Sequence, residues 1–229
     1  MQGILFDLDG TLLDIELASF LRRYFTALEN AASGAFPGLD LVSVVRSSTD
    51  AMLRPHPGMT NREAFQADFL MRTGHDLEEH RPTFEAFYRD DFPALACGAG
   101  PAPGAREAVE TALGLGLKAA VATNPIFPMT AVRHRISWAG LDDVRFHAVT
   151  AYEDMHATKP MAAYFRETAA LLGAHPSECL MVGDDPVLDL AAADVGMRTF
   201  YVGDGDVPCD FSGGLADLAA LLPRLVERG

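Results

Sequence analysis

The sequence predicts an α/β protein, with a doubly wound, mostly parallel sheet of the Rossmann type and an inserted all-helical domain. Short apolar runs bounded by turn residues alternate with amphipathic helical patterns, which is typical of a parallel sheet covered on both faces. Residues 15–96 contain several amphipathic helical patterns and no strand-like alternation. We therefore expect a core domain formed by residues 1–14 and 97–229, and a helical domain inserted at residues 15–96.

The elements of the core follow from the position of each apolar run. The first strand is the run Gly3–Phe6, which precedes an acidic turn. The later strands are predicted at Lys118–Ala122, Phe146–Val149, Cys179–Val182 and Thr199–Val202. The helices between and after them are predicted at Ala105–Leu115, Met129–Trp138, Met161–Leu172, Leu188–Val195 and Leu215–Glu227.

The inserted region has its own helix signals. Helices are predicted at Glu16–Ala32, Leu39–Met52, Asn61–Met71 and from Thr83 to about Phe87. Thr60 and Glu63 have the spacing of a capping box, which supports the third helix start. The Gly/Pro-rich segment 98–104 is typical of a boundary or hinge.

Composition limits the classes of partner. The 229-residue chain has a formal net charge of −14 and no cluster of Lys or Arg, so we expect neither nucleic acid nor a membrane as partner. No long apolar run and no signal-peptide pattern is present, and the three cysteines lack metal or redox spacing. We expect a cytoplasmic protein, a monomer or small homo-oligomer, that binds a small molecule.

Two carboxylates stand directly after the first strand. Asp7 and Asp9 are separated by one residue, so in an extended chain their side chains point to the same side and repel each other. A strand followed by an ordinary Asp-Gly turn gives the same pattern, and this pair alone does not decide between a turn and a reactive site.

Three more polar signals fall at predicted strand or helix ends. Thr123-Asn124 follows the second strand, Lys159 precedes a helix, and Gly183-Asp184-Asp185 closes the most apolar strand, with Asp189 four residues later. Alone, each fits a helix cap, a surface charge or a helix-dipole acid. One sheet would bring these ends into a single crevice, and so many acids near one ammonium require a divalent cation. Oxygen ligands favour Mg²⁺ over Zn²⁺.

These residues resemble the four motifs of the haloacid dehalogenase (HAD) superfamily of phosphatases and related phosphoryl-transfer enzymes. The segment 7–12 (DLDGTL) resembles the first motif, Thr123 the second, Lys159-Pro160 the third, and Gly183-Asp184-Asp185 with Asp189 the fourth. The helical insert resembles the C1 cap of that family, a lid over the active site.

The resemblance implies a role for each residue. Asp7 is the nucleophile that forms an aspartyl-phosphate, and Asp9 is the general acid and base. Since Asp9 must carry a proton in the first step, we hypothesise that its surroundings raise its pKa. Lys159, Thr123 and backbone N–H groups from Leu8 onward and at Asn124 bind the phosphoryl oxygens.

The metal ligands implied are Asp7, the backbone carbonyl of Asp9, and Asp184, with Asp185 or Asp189 acting directly or through water. The reaction predicted is Mg²⁺-dependent hydrolysis of a small phosphorylated metabolite. A phosphomutase uses the same motifs. A dehalogenase of this family needs neither Mg²⁺ nor an acid at position 9. A binding module that has lost catalytic activity would lack the nucleophile, the acid or the lysine. We expect specificity to arise in the insert, with Asp14, Glu16, Arg54, His56 and Arg62 as candidates facing the cleft.

Overall fold

A computed structural model describes residues 1–227 of the chain. Its main sheet has six strands, which all pair in parallel in the order β5-β4-β1-β6-β7-β8. A separate antiparallel pair joins β2 to β3. The strands are β1 (Gly3–Phe6), β2 (Leu13–Asp14), β3 (Gly100–Pro101), β4 (Lys118–Val121), β5 (Ala148–Val149), β6 (Cys179–Gly183), β7 (Arg198–Val202) and β8 (Phe211–Gly213).

Helices cover the sheet and form the inserted region. They are α1 (Leu17–Ala32), α2 (Leu41–Met52), α3 (Asn61–Thr73), α4 (Arg81–Ala86), α5 (Ala105–Gly114), α6 (Met129–Trp138), α7 (Ala162–Leu171) and α8 (Leu215–Glu227). The first four lie in the insert, and α4 continues through a π-turn and a 3₁₀ turn to Ala96. Among residues 1–227, no helix combines the length and apolarity needed to cross a bilayer. The predicted α/β fold class is confirmed.

The centre of the sheet is buried on both faces, as its apolar strands require. Ile4 and Phe6 of β1 join the larger apolar cluster, which extends into the insert through Phe20 and Phe69. Leu5 faces the opposite way, into a second cluster with Phe165 of α7. The alternation along β1 therefore anchors helices on both sides of the sheet.

Local signals placed several helix ends correctly. The capping box at α3 is present, with Glu63 N–H donating to Thr60 Oγ1 at 3.2 Å and Thr60 N–H donating to Glu63 Oε2 at 2.7 Å. Glu16, predicted as the first residue of α1, is instead its N-cap and accepts from Ser19 N–H at 2.8 Å. A capping residue has a polar side chain next to an apolar stripe, and sequence alone does not show on which side of the boundary it falls.

Several element predictions differ from the structure. The helix predicted at Leu188–Val195 is a 3₁₀ turn from Leu190, because Asp185 and Asp189 bond the chain before it. The strand predicted at Phe146–Val149 pairs only over Ala148–Val149 at the sheet edge, and β4 ends one residue early. The helix predicted from Thr83 begins at Arg81. Strands β2, β3 and β8 are too short to give a period-two signal, and sequence analysis missed them.

The two chain crossings between core and insert lie side by side. Leu13 pairs with Pro101, and Asp14 pairs with Gly100, in the antiparallel β2–β3 ladder. We propose on this basis that the insert comprises residues 15–96 and that the core comprises residues 1–14 and 97–229.

Candidate active site

The sheet brings the candidate residues to one edge. Strand β1 lies between β4 and β6, so the carboxyl ends of these three strands are adjacent. Asp7 follows β1, Thr123 follows β4 and Asp184 follows β6. In open α/β sheets the ligand-binding crevice lies at this end of the strands, where the connections that follow two neighbouring strands run to opposite sides.

Asp7 and Lys159 form the buried centre of the site. Lys159 Nζ donates to Asp7 Oδ1 at 2.6 Å and to Asp189 Oδ1 at 2.5 Å. Burial opposes charge on Lys159, but Asp189 and Asp7 together raise the pKa of its ammonium, which therefore stays charged. Burial raises the pKa of Asp7 from 3.8 to about 8, even though Lys159 acts in the opposite direction. A single ammonium shared between two carboxylates does not compensate fully for the desolvation of Asp7.

Asp184 lies beside the first-strand loop. Thr11 Oγ1 donates to Asp184 Oδ1 at 2.9 Å, and burial raises the pKa of the Asp184 carboxyl. A Cβ atom at Gly10, where φ is +93°, would lie 2.4 Å from Asp184 Oδ2. Position 10 must therefore be glycine both for its backbone conformation and for the close approach of this carboxylate.

The three acids Asp7, Asp184 and Asp189 each offer one oxygen atom, and these atoms all lie within 4.8 Å of one another. The oxygen-only donor set suits a hard divalent cation such as Mg²⁺, and a cation there would offset the desolvation of Asp7. The residues present therefore fit a divalent cation.

The other predicted acid of this loop points elsewhere. Asp185 Oδ1 accepts from Val187 N–H at 2.8 Å and from Leu188 N–H at 2.9 Å, so the carboxylate closes its own turn. It still lines the cavity described below, outside the cluster of three acids.

The loop after β4 is tied to the lysine segment. Asn124 Oδ1 accepts from Lys159 N–H at 3.2 Å, and the Thr123 carbonyl accepts from Tyr164 Oη at 2.9 Å. The Leu8 side chain is fully buried, and its carbonyl accepts from Leu13 N–H at 2.8 Å, which turns the chain after β1. These contacts fix the predicted phosphoryl-binding residues relative to Asp7.

Asp9 has a partner that sequence analysis missed. Arg135 of α6 is 1% exposed, and its Nη1 donates to Asp9 Oδ2. The guanidinium carbon lies 4.6 Å from the ring centroid of Phe127, in cation–π contact. Asp9 Oδ1 and Arg135 Nη2 are buried without a hydrogen-bond partner. The hypothesis that Asp9 carries a proton in the first step stays a prediction.

A signal for Arg135 was present in the helical pattern. Ala131, Val132 and Ile136 share the buried face of α6 with Arg135. A charge on the apolar stripe of a helix indicates a buried partner, whereas the neighbouring exposed Arg133 fits an ordinary surface charge.

These groups line a cavity of about 210 Å³, which we call the edge cavity. Its polar wall contains the acids, Lys159, Arg135, Thr123 and Asn124. Its apolar wall is formed by Leu17, Leu21, Ile126, Phe127 and Leu188.

The five residues predicted as specificity candidates do not line this cavity. Arg62 lines a second cavity of about 100 Å³ between the insert and the core, where it donates to Glu78. His56 bonds Asn61 Oδ1 at 2.8 Å, and Glu16 caps α1. Asp14 and Arg54 are exposed residues outside the edge cavity. Their polarity reflects caps, ion pairs and solvent contact, which a single sequence does not separate from binding.

Comparison with known proteins identifies the class to which this fold and site belong. The model of the haloacid dehalogenase-like hydrolases matches residues 1–195. The chain belongs to this family, and the predicted membership in the superfamily is confirmed.

Among individual proteins, the chain is 27% identical over 207 residues to the pyrophosphatase PpaX of Halalkalibacterium halodurans, covering 89% of this chain and 84% of that protein. Its fold is similar to that of a HAD phosphatase from Thermococcus onnurineus (TM-score 0.61, 22% identity, 97% and 98% of the two chains). A 2-haloacid dehalogenase from Pseudomonas syringae is similarly close (TM-score 0.65, 23% identity, 98% and 100%).

Proposed function

We propose that this hydrolase is a Mg²⁺-dependent phosphatase that transfers the phosphoryl group of a small phosphorylated metabolite to Asp7. The observation that carries the proposal is the cluster of Asp7, Asp184 and Asp189 oxygens within 4.8 Å, with Lys159 Nζ 2.6 Å from Asp7 Oδ1. This arrangement supplies a buried oxygen nucleophile, a fixed cation and a set of ligands for a second cation.

The proposed ligands of Mg²⁺ are the carboxylates of Asp7 and Asp184 and the backbone carbonyl of Asp9. When bound to these residues, Mg²⁺ would supply positive charge that offsets the charge of the phosphoryl group. Asp189 already accepts from Lys159 Nζ and from Asp185 N–H, so we assign it a role through water or through Lys159. Asp185 Oδ1 accepts hydrogen bonds within its own turn, so we assign Asp185 the role of stabilising that loop.

The nucleophile is positioned before substrate arrives. Lys159 holds Oδ1 of Asp7 and leaves the other carboxylate oxygen for attack on phosphorus. The new Asp7 O–P bond forms as the bond between phosphorus and the leaving oxygen breaks. Lys159, the Thr123 hydroxyl and the N–H groups of Leu8 and Asn124 are assigned to the phosphoryl oxygens.

Asp9 is assigned the proton transfers. Arg135 engages Oδ2 and leaves Oδ1 without a protein partner, which supports Oδ1 as the atom that gives its proton to the leaving alkoxide. In the second step the same carboxylate takes a proton from the water that attacks the aspartyl-phosphate.

The alternatives differ at defined points. A phosphomutase would return the phosphoryl group to another hydroxyl and release little inorganic phosphate. A dehalogenase would use Asp7 on carbon, without need of Asp9 or a metal. The Asp9–Arg135 pair and the acidic cluster support the phosphatase proposal over dehalogenation.

The chain's charge and thiols support the setting proposed for this activity. A formal net charge of −14 disfavours nucleic acid and anionic membrane surfaces as partners. Cys97, Cys179 and Cys209 are free thiols, in keeping with a reducing, cytoplasmic environment.

The test is a Mg²⁺-dependent phosphate-release screen across phosphorylated metabolites and aryl phosphates. Wild-type protein is expected to release phosphate with Mg²⁺ and not in EDTA, and Asp7→Asn to release none. Asp90→Asn, which changes an exposed acid paired with Arg89, serves as the matched control and retains activity. Unchanged turnover in Asp7→Asn would exclude the proposal, and halide release from 2-haloacids without Mg²⁺ would favour dehalogenation.

A further inference from the structure

We propose that the substrate is a phosphate monoester whose leaving group is small, uncharged and apolar, and that the site rejects esters with a second anionic group. This inference rests on the proposed phosphoryl transfer to Asp7. It goes further, because the side of the edge cavity opposite the acids defines which organic group fits.

The apolar wall of the edge cavity consists of hydrocarbon side chains alone. Leu17 and Leu21 lie one turn apart on α1, so they present side chains on the same face. Ile126 and Phe127 come from the loop after β4, and Leu188 from the loop after β6. A leaving group that departs from the phosphorus attacked by Asp7 therefore meets hydrocarbon from three different elements.

Both cations that line the described part of the edge cavity, Lys159 and Arg135, are already paired with acids. Lys159 Nζ is shared by Asp7 and Asp189, and Arg135 is buried against Asp9. The insert contributes only leucine side chains to this cavity. A carboxylate or second phosphate on the leaving group would lose hydration and meet no cation that is not already paired with an acid, and Asp185 would repel it.

The basic residues of the insert serve another cavity. Arg62 and Arg81 both donate to Glu78 and line the second cavity, between the insert and the core. Ile126 is the side chain that lines both cavities, so an apolar group stands where they meet.

The volume of the edge cavity limits the size of the organic group. An engineered protein cavity of about 150 Å³ takes up benzene. The edge cavity measures about 210 Å³ and must also hold the phosphoryl group, so it fits a group of roughly phenyl or short alkyl size.

The experiment compares three esters of similar leaving groups: phenyl phosphate, 4-carbamoylphenyl phosphate and 4-carboxyphenyl phosphate. The last two match in size and differ in charge. We expect kcat/KM for the carboxylate to be at least about tenfold below that of the carbamoyl ester, because specificity set by an unpaired buried charge is of this order or larger. Pyrophosphate is expected to be a poorer substrate than phenyl phosphate.

Two variants test the assigned wall. Leu21→Lys should raise kcat/KM for the carboxylate ester relative to the carbamoyl ester, which narrows or reverses the difference between them. Leu17→Lys should have the same effect, and Leu17 is 47% exposed, so this position tolerates a charge. Leu53→Lys, at a leucine 44% exposed outside the edge cavity, is the matched control and should leave the ratio unchanged. Thermal unfolding of each variant identifies any that misfold.

The outcomes separate this inference from the proposed function. Equal or better turnover of the carboxylate or of pyrophosphate by wild-type protein overturns the inference while leaving phosphatase activity intact. An unchanged ratio in both folded lysine variants also overturns it. Absence of Mg²⁺-dependent phosphate release from every ester, or activity that survives Asp7→Asn, overturns the proposed function itself.

Discussion

Arg135 and Asp9 form a buried ion pair at the residue scale, and each depends on the other for charge compensation. Arg135 is 1% exposed, and the Asp9 side chain is 15% exposed. Removing one member of such a pair leaves an uncompensated charge, whereas removing both leaves only a packing defect.

Arg135→Met is therefore expected to lower the free energy of unfolding by about 3 kcal/mol, the low end for a broken buried pair because Asp9 keeps some solvent contact. Urea unfolding measures the change. The double variant Arg135→Met/Asp9→Asn should recover part of the loss. A single variant as stable as wild type would show that the pair contributes no net charge compensation.

Asp7 is destabilising in the metal-free protein at neutral and higher pH. Its folded pKa of about 8 lies above the ordinary 3.8, so the native state binds the proton more tightly than the unfolded state. Stability contributed by this group is full below about pH 4 and is lost as the pH rises toward 8.

Asp7→Asn in EDTA is expected to raise Tm more near pH 8 than near pH 5. The expected gain in the free energy of unfolding near pH 8 is about 1 kcal/mol, in the range found for stabilising substitutions. Thermal unfolding at the two pH values gives the comparison, with Asp90→Asn as the exposed control. A gain that is equal at both values, or smaller near pH 8, would contradict the assignment of a raised pKa.

The residues of the site illustrate what sequence can predict. The parallel order of the strands brings together side chains that lie just after a strand end or just before a helix start: Asp7, Thr123, Lys159 and Asp184. Arg135 lies inside a helix, so its pairing depends on the packing of α6 against β2 and the insert. Asp185 is an aspartate next to Asp184, so the sequence does not distinguish their roles. The structure does, because the Asp185 side chain bonds the turn after β6.

At the scale of elements, the start of α3 fastens the insert to the core beside the site. Asn61 is fully buried, and its Nδ2 donates to the carbonyls of Pro125 at 2.9 Å and Ala157 at 3.2 Å. These carbonyls belong to the loops that carry Asn124 and Lys159. The capping box predicted the helix start, but not that the first helical side chain reaches across to the core.

Asn61→Ala should leave two core carbonyls without this donor and cost about 1–3 kcal/mol, the range for a buried group left unsatisfied. Amide hydrogen exchange should quicken at Asn61 and Arg62, whose N–H groups donate to Met155 and Tyr152 carbonyls. Thr60→Ala, which removes the cap of the same helix, is the control that weakens α3 without breaking these side-chain contacts. Unchanged exchange in Asn61→Ala would contradict its fastening role.

At the scale of the whole molecule, core and insert share one apolar cluster. Trp138 of α6 stacks on Phe92 from the end of the insert, with centroids 5.4 Å apart and an interplanar angle of 11°. Phe20 of α1 packs edge-on against the same Trp at 6.0 Å. The two regions are therefore expected to unfold together.

The single Trp of the chain makes this measurable. Trp fluorescence and far-UV circular dichroism should give coincident urea transitions. Phe92→Ala should lower stability by about 3–5 kcal/mol, as large-to-small changes in a core do. Leu70→Ala, at an exposed leucine, is the control. Two separated transitions in wild-type protein would contradict a shared core.

The central claim, that Asp7 accepts the phosphoryl group, is tested most directly by trapping the intermediate. Asp9→Asn lacks the base assigned to water activation. With Mg²⁺ and 4-nitrophenyl phosphate, whose leaving group departs without a proton donor, it should therefore accumulate a phosphoryl adduct that acid quenching and tandem mass spectrometry locate on Asp7. The adduct should be absent from Asp7→Asn/Asp9→Asn. A phosphoryl group on another residue, or continued hydrolysis by the double variant, would contradict the account.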